Sequence, residues 1–183
     1  MTLSIAIAGA GGRMGRALVR AASHDPRFSV CGGTEHREGQ FLGIDLGALA
    51  GLAPLMMNTS ETANLAADKA DVWIDFTSPE GSVAALDALV GTPVKAAVVG
   101  TTGLTVEQEA KIAEHAKRIA IVRSGNFSLG VNLLAALVEQ AAQRLGPEWD
   151  IEITEAHHRR KVCLLYTSPS PRDRTRSRMP SSA

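Results

Sequence analysis

Short apolar runs alternate with helical patterns along most of this sequence, and that alternation restricts the possible folds more than any other feature. The runs lie at residues 3–8, 28–34, 72–76, 94–99, 119–122 and 151–156. Each has the length of a strand, and the segments between most of them have helical patterns and short connections. Strands and helices in this order predict parallel pairing with right-handed crossovers. The sequence therefore predicts an α/β fold with a doubly wound parallel sheet.

Two of the predicted helices carry typical capping residues. Ser78 and Pro79 are typical of the first positions of a helix that extends to about residue 90. Thr105 and Gln108 form the T-x-x-Q pattern of a capping box, which opens a helix to about residue 118.

The other predicted elements rest on periodicity alone. Apolar residues at spacing four predict the buried face of the first helix, namely Met14, Leu18 and Ala22. Residues 36–52 are glycine-rich and predicted to be loop, a weak strand is expected near residue 55, and a long helix is expected over 131–145.

A glycine-rich segment, residues 9–15, joins the first strand to the first helix. It does not fit the strict G-x-G-x-x-G fingerprint, because Met14 occupies the third glycine position, but its glycines also fit a G-x-x-G-x-x-G spacing. Glu35 ends the second strand 20 residues past Gly15, where a carboxylate can accept both ribose hydroxyls of an adenosine. Together these features favour dinucleotide binding over a plain tight turn with a solvated acid. A carboxylate repels a 2′-phosphate, so NADH is favoured over NADPH, although His36 and Arg37 leave this preference open.

Polar loops follow two later strands. Residues 100–103 and 124–128 are rich in glycine, hydroxyl and amide groups, which suits the nicotinamide half of a cofactor. They are also typical of turns in which Asn126 or Ser128 caps the next helix, and spacing alone favours the turns. Asp75 and Thr77 fit either a hydrogen-bonded strand end or a site.

The segment 155–161 contains two adjacent histidines and three basic residues. His157 and Lys161 are four residues apart and would project to one side of a helix, where they could hold and protonate an anionic substrate. Spacing alone favours a solvated basic turn, and a phosphate or nucleic-acid patch is a third reading. No metal site is predicted, because adjacent histidines rarely both reach one ion and no cysteine pair completes a ligand shell.

Composition excludes several classes of protein. The 183 residues carry 19 basic and 19 acidic side chains, which excludes a uniformly basic nucleic-acid binder. Two cysteines cannot make a disulfide framework, and no apolar run approaches the roughly 20 residues of a membrane helix. With no export signal at the N-terminus, a cytoplasmic protein without membrane or nucleic-acid partners is expected.

Five segments in order resemble one family: IAGAGGRMG (7–15), IDFTSPE (74–80), VGTTG (99–103), NFSLGVN (126–132) and EAHHRRKV (155–162). Through them residues 1–162 resemble the N-terminal part of the dihydrodipicolinate reductase (4-hydroxy-tetrahydrodipicolinate reductase) family. The resemblance implies NAD(P)H-dependent reduction of a small cyclic dicarboxylate with loss of water, in lysine biosynthesis through diaminopimelate. An NAD(H)-binding Rossmann module without catalysis is the alternative.

The resemblance also assigns roles to residues. Phosphate contacts fall to Gly9, Ala10, Gly11, Gly12, Arg13 and Met14, and the adenosine ribose falls to Glu35. Nicotinamide contacts fall to Gly100, Thr101, Thr102, Ser124, Gly125, Asn126 and Phe127. His157 would be proton donor or acceptor, Lys161 proton donor, and His158 a ligand of a substrate carboxylate.

The expected domain organisation is a Rossmann-like dinucleotide-binding domain over residues 1–129, followed over 130–162 by the truncated start of an α+β substrate domain. After Val162 the sequence departs from the family's D-A-P-S-G-T-A type segment, and residues 163–183 are expected to be a disordered, non-native tail. The full-length family is expected to be a homotetramer, which is doubtful for this chain. We expect such a chain to bind NADH weakly and to turn over little substrate.

Overall fold

A computed structural model describes residues 2–152, and its described part is built around a five-stranded parallel sheet with the order β2-β1-β3-β4-β5. The strands are β1 Leu3–Ile7, β2 Phe28–Gly33, β3 Val72–Asp75, β4 Ala96–Val99 and β5 Ala120–Arg123. The helices are α1 Arg13–His24, α2 Leu46–Ala50, α3 Ala63–Ala66, α4 Pro79–Ala88, α5 Val106–His115 and α6 Leu129–Leu145. The predicted α/β class and doubly wound parallel sheet are confirmed.

Side chains alternate between the two faces of the sheet, and helices cover both faces. Along β1, Ile5 and Ile7 pack with Val19 of α1 and Leu46 of α2 on one face. On the other face, a second core cluster joins the strands to α3, α4 and α5, and it contains Ala6, Ala66, Trp73, Leu86, Ala97 and Ile112. Each central strand is therefore buried on both sides, which explains its nearly continuous apolar sequence.

Of the predicted buried face of α1, Ala22 is buried and Leu18 is partly buried, but Met14 is not. The buried residues of the helix are Gly15, Val19 and Ala22, whereas Met14 is half exposed. The reason is the close approach of Gly15 to the turn after β1, since a β-carbon at this position would overlap the Gly9 carbonyl oxygen. The glycine, which a hydrophobic count ignores, sets the helix face that lies on the sheet.

Two further expectations were wrong. The predicted loop 36–52 contains the short helix α2, whose N-cap Asp45 accepts a hydrogen bond from the Ala48 N–H group. No strand forms near residue 55; instead Asp45 also accepts from the N–H groups of Leu55 and Met57, which holds this segment against the start of α2.

The chain divides into two compact units, one from Met1 to Leu133 and one from Leu134 onward. The first contains the whole sheet. Of the predicted strand 151–156, residues 151 and 152 are not in a strand and the remainder lies outside the described residues. Within residues 2–152, no helix is long and apolar enough to cross a membrane.

Candidate functional site

The chain reverses its direction of winding next to β1. From β1 it passes to β2 on one side, and it then returns to β3 on the other side. In open parallel sheets, ligands bind beyond the carboxyl ends of the strands at such a switch point. The glycine turn follows β1, and Asp75 ends β3, so both lie at this point.

The glycine turn is a tight backbone structure that larger residues would disrupt. Gly9 has a φ of +59°, in the left-handed region that favours glycine, and its carbonyl accepts the Gly12 N–H at 2.9 Å. Ala10 is fully buried and donates its N–H to the Thr34 carbonyl at 2.8 Å. The turn is thereby tied to the end of β2.

The first turn of α1 presents backbone N–H groups without a side-chain cap. Its N-cap is Gly12, and no acidic residue lies in the first turn. Arg13 and Met14, the first two helical residues, are exposed. Unpaired N–H groups and the helix dipole at such a start favour a phosphate.

Glu35 lies directly against the glycine turn. Its Oε2 accepts the Gly11 N–H at 3.1 Å, and its Oε1 accepts the His36 N–H at 2.9 Å. A β-carbon at position 11 would overlap the Glu35 carboxylate and the Phe41 ring. The structure thus brings together the acid and the turn that were predicted to form one site, although Gly11 and Glu35 are 24 residues apart in the sequence.

Two residues that the sequence analysis did not single out complete this end of the site. Arg16 donates from Nε to the Gly11 carbonyl at 2.7 Å, and its guanidinium carbon lies 4.4 Å from the centroid of the Phe41 ring. Phe41 belongs to the glycine-rich loop, and its place in the sequence gave no sign of this contact. Arg37, in contrast, pairs with Glu61 at 3.6 Å.

The ends of β3 and β4 meet in a buried polar network. Asp75 Oδ1 accepts from the Thr77 N–H at 2.9 Å, the Thr77 hydroxyl at 2.6 Å and the Ser82 hydroxyl at 3.0 Å. The Ser82 and Thr101 hydroxyls lie 2.7 Å apart. The Thr101 side chain therefore points into the protein, while Thr102 beside it is half-buried.

Phe76 connects the loops that follow β4 and β5. Its ring occupies the space that a β-carbon on Gly100 would need. It also packs edge-on against Phe127, with ring centroids 5.5 Å apart. The two loops predicted to flank a nicotinamide are therefore brought together around one aromatic side chain.

In the loop after β5 the polar side chains bond to neighbouring backbone. The Ser124 hydroxyl donates to the Asn126 carbonyl at 2.8 Å, and Asn126 Oδ1 accepts the Ser128 N–H at 2.8 Å. The Ser128 hydroxyl accepts the Val131 N–H in the first turn of α6. These contacts are the ones expected if the loop serves as a turn that caps α6. Gly125 and Phe127 remain exposed between them.

The predicted proton-transfer and substrate residues His157, His158 and Lys161 lie outside the described residues. Within residues 2–152, no group of three His, Cys, Asp or Glu side chains could hold a metal ion.

Comparison with known proteins identifies the family. Residues 3–127 match the family described as "Dihydrodipicolinate reductase, N-terminus", and residues 130–164 match "Dihydrodipicolinate reductase, C-terminus". A 4-hydroxy-tetrahydrodipicolinate reductase of Rhodopseudomonas palustris is 44% identical over 160 residues, covering 87% of this chain and 59% of the relative. That of Parvibaculum lavamentivorans is 46% identical over 161 residues, with the same coverage.

The fold has a counterpart among solved structures. A dipicolinate-bound dihydrodipicolinate reductase from Paenisporosarcina sp. TG-14 superposes with a TM-score of 0.61 at 23% identity, covering 77% of this chain and 54% of that one. The chain spans about 59% of the length of the curated relatives it matches. The first of the two family matches alone covers more than half of the chain. The chain therefore belongs to the dihydrodipicolinate reductase family.

Proposed function

We propose that this chain carries the nicotinamide-dinucleotide site of a 4-hydroxy-tetrahydrodipicolinate reductase. The observation that carries the proposal is the position of Glu35 beside the glycine turn at the switch point of the sheet. A close backbone approach, uncapped N–H groups and an acid at the next strand end together suit the pyrophosphate and ribose of such a cofactor. The space around Gly11 and Gly15 leaves no room for side chains, as a backbone cradle requires.

Within this proposal, residues 1–129 form the dinucleotide-binding domain and residues 130–162 begin the substrate domain. The phosphate contacts come from Gly9 to Met14. The nicotinamide lies near residues 100–102 and 124–127, where Phe76 joins the two loops.

NADH is the favoured cofactor. The Glu35 carboxylate would repel the 2′-phosphate of NADPH. Arg37, a nearby cation that could offset this repulsion, is paired with Glu61. Glu35→Gln should therefore raise the affinity for NADPH relative to NADH, as measured by fluorescence titration of both cofactors. An unchanged affinity ratio would contradict this role for Glu35.

The proposed reaction transfers a hydride from NAD(P)H to the ring of 4-hydroxy-tetrahydrodipicolinate, and the 4-hydroxyl leaves as water to give tetrahydrodipicolinate. His157 and Lys161 would supply the accompanying proton, because an imidazole exchanges protons near neutral pH and an ammonium group can donate one. His158 would bind a carboxylate of this doubly anionic substrate. These three roles rest on the resemblance of residues 155–162 to the family.

Binding of NADH to the chain itself is the direct test. We expect saturable enhancement of NADH fluorescence, competed by ADP-ribose, and little or no turnover of substrate, since the chain covers about 59% of its relatives' length. Absence of competition by ADP-ribose would refute the dinucleotide site, and rapid turnover would refute the expectation of low activity.

A chimera separates catalysis from mere binding. Residues 1–162 would be joined to the remaining C-terminal residues of a curated relative, and His157→Ala compared with the parent chimera. We expect a large fall in turnover with NADH binding preserved. Equal turnover in both would instead favour the non-catalytic NAD(H)-binding module.

A further inference from the structure

A buried carboxylate ends β3, the strand between β1 and β4, whose following loops form the two parts of the proposed cofactor site. Asp75 is 1% exposed, and its Oδ1 is the acceptor for Thr77, Ser82 and, at 3.4 Å, Thr101. Among the described residues, its Oδ2 is buried and has no hydrogen-bond partner. Burying a carboxylate is costly unless its hydrogen bonds offset the lost hydration. The position of Asp75 therefore depends on the hydroxyls gathered around one of its oxygens.

These hydroxyls come from three separate parts of the chain. Thr77 follows β3, Ser82 lies in α4, and Thr101 lies in the loop after β4. The backbone adds a further tie, since Gly100 donates its N–H to the Asp75 carbonyl at 2.8 Å. The loop after β4 is thus bonded to both the main chain and the side chain of Asp75.

The direction of the hydrogen bonds limits what Thr101 can do. If Ser82 donates its hydroxyl proton to Asp75, Thr101 must be the donor in the Ser82–Thr101 pair, because a hydroxyl has only one proton. If Ser82 instead donates to Thr101, then Thr101 donates to Asp75. In both arrangements the Thr101 hydroxyl proton is used inside the network. Thr101 therefore holds the loop in place, rather than offering a donor to a ligand.

The same network reaches the glycine turn. Thr77 is fixed by two hydrogen bonds to Asp75, and its methyl group lies where a β-carbon on Gly9 would fall. The turn after β1 and the loop after β4 therefore contact groups that are bonded to one carboxylate.

We infer that Asp75 is a positioning residue, which acts through Ser82 and Thr101 to hold the loop 100–102 in the conformation that receives the nicotinamide. The inference rests on the proposed function. It predicts that loss of the Ser82 and Thr101 hydrogen bonds weakens contacts of the nicotinamide half of the cofactor. The adenosine half, bound at Glu35 and α1, should be unaffected, because the contact of the network with the glycine turn is made by Thr77.

Ser82→Ala tests this with little disturbance of α4, because alanine favours helix more than serine does. We expect the affinity for NADH to fall about fivefold, as for loss of one buried hydrogen bond. The affinity for ADP-ribose, which lacks nicotinamide, should not change.

Asp75→Asn should act in the same direction. It would place an NH₂ group at the buried position of Oδ2, where the described residues offer no acceptor for its protons. Ile112→Val is the control, since it removes a buried methylene of α5 outside the network and should leave the ratio of the two affinities unchanged.

Amide hydrogen exchange supplies a readout that needs no ligand. In Ser82→Ala, residues 100–102 should exchange faster than in the parent chain, and in Ile112→Val they should not. Equal loss of both affinities, or unchanged exchange in the loop, would overturn the inference. If neither NADH nor ADP-ribose binds the parent chain, the proposed function fails, and the exchange measurement still decides whether Asp75 holds the loop.

Discussion

Two glycines of the turn after β1 leave very different amounts of room for a side chain. A β-carbon on Gly12 would lie 3.2 Å from the Gly9 carbonyl oxygen, a contact that a small shift relieves. On Gly15 it would overlap the Gly9 carbonyl and the Ala10 backbone, which cannot move without opening the turn. The Gly15 position is thus more demanding than the Gly12 position, although the spacing of the motif treats them alike.

We therefore expect Gly15→Ala to lower the free energy of unfolding by about 1–3 kcal/mol, the usual cost of overpacking a core. It should also weaken ADP-ribose binding, because the phosphate cradle would open. Urea unfolding and a binding titration measure the two effects. Gly130→Ala is a matched control, since its β-carbon would meet nothing closer than 3.9 Å. Equal stability of the two variants would show that the turn adapts.

Cys31 offers a test of the sheet by chemical reactivity. It lies in β2, half-buried, and its thiol donates to the Ile5 carbonyl at 3.3 Å. Burial raises the pKa of this thiol, because it disfavours the charged thiolate. In a Cys163→Ser variant, we expect Cys31 to react slowly with iodoacetamide at neutral pH. The rate should rise only at a higher pH than for free cysteine. Urea should abolish the protection, and an identical rate with and without urea would contradict the burial.

At the scale of elements, local patterns predicted what local interactions determine. The apolar runs predicted the five strands seen within residues 2–152, and the capping patterns at Ser78 and Thr105 predicted the starts of α4 and α5. The helices α2 and α3 were missed because each is about one turn long and shows no periodicity. Their positions depend instead on tertiary contacts, such as those of Asp45.

The contribution of the capping box of α5 to stability can be measured. Thr105 Oγ1 accepts the Gln108 N–H at 3.3 Å, and Gln108 Oε1 accepts the Thr105 N–H at 2.8 Å. Thr105→Ala should lower the free energy of unfolding by about 1 kcal/mol, the typical value for a lost N-cap. Val106→Ala is the control, because Val106 is 82% exposed and next to the cap. Urea unfolding of both variants decides the matter, and indistinguishable midpoints would mean that the box contributes nothing.

At the scale of the whole chain, the candidate site could be predicted only in part. The proximity of Glu35 to the glycine turn could be predicted, because both lie at the ends of adjacent parallel strands. The inward direction of Thr101 could not be predicted, because it depends on Ser82, 19 residues away in another element. Likewise, the periodicity of α6 predicted a helix with an apolar face, but it did not indicate what would cover that face.

None of the described side chains of α6 is buried. Its exposed apolar residues include Leu133, Leu134, Leu137 and Val138. Contiguous exposed apolar surface of this kind promotes association and binds hydrophobic dyes. The chain should therefore bind the dye ANS and self-associate as its concentration rises, as light scattering would detect.

The double variant Leu134→Gln/Val138→Gln should reduce both effects without lowering the midpoint of urea unfolding. Glutamine keeps a good helix propensity, and both replaced side chains are exposed, Leu134 to 60% and Val138 to 44%. Leu65→Gln is the control, because Leu65 is 65% exposed on α3, outside this face, and its replacement should leave dye binding and association unchanged. If the α6 variant instead unfolds at lower urea, its apolar face must be packed in solution, and the source of association must lie elsewhere.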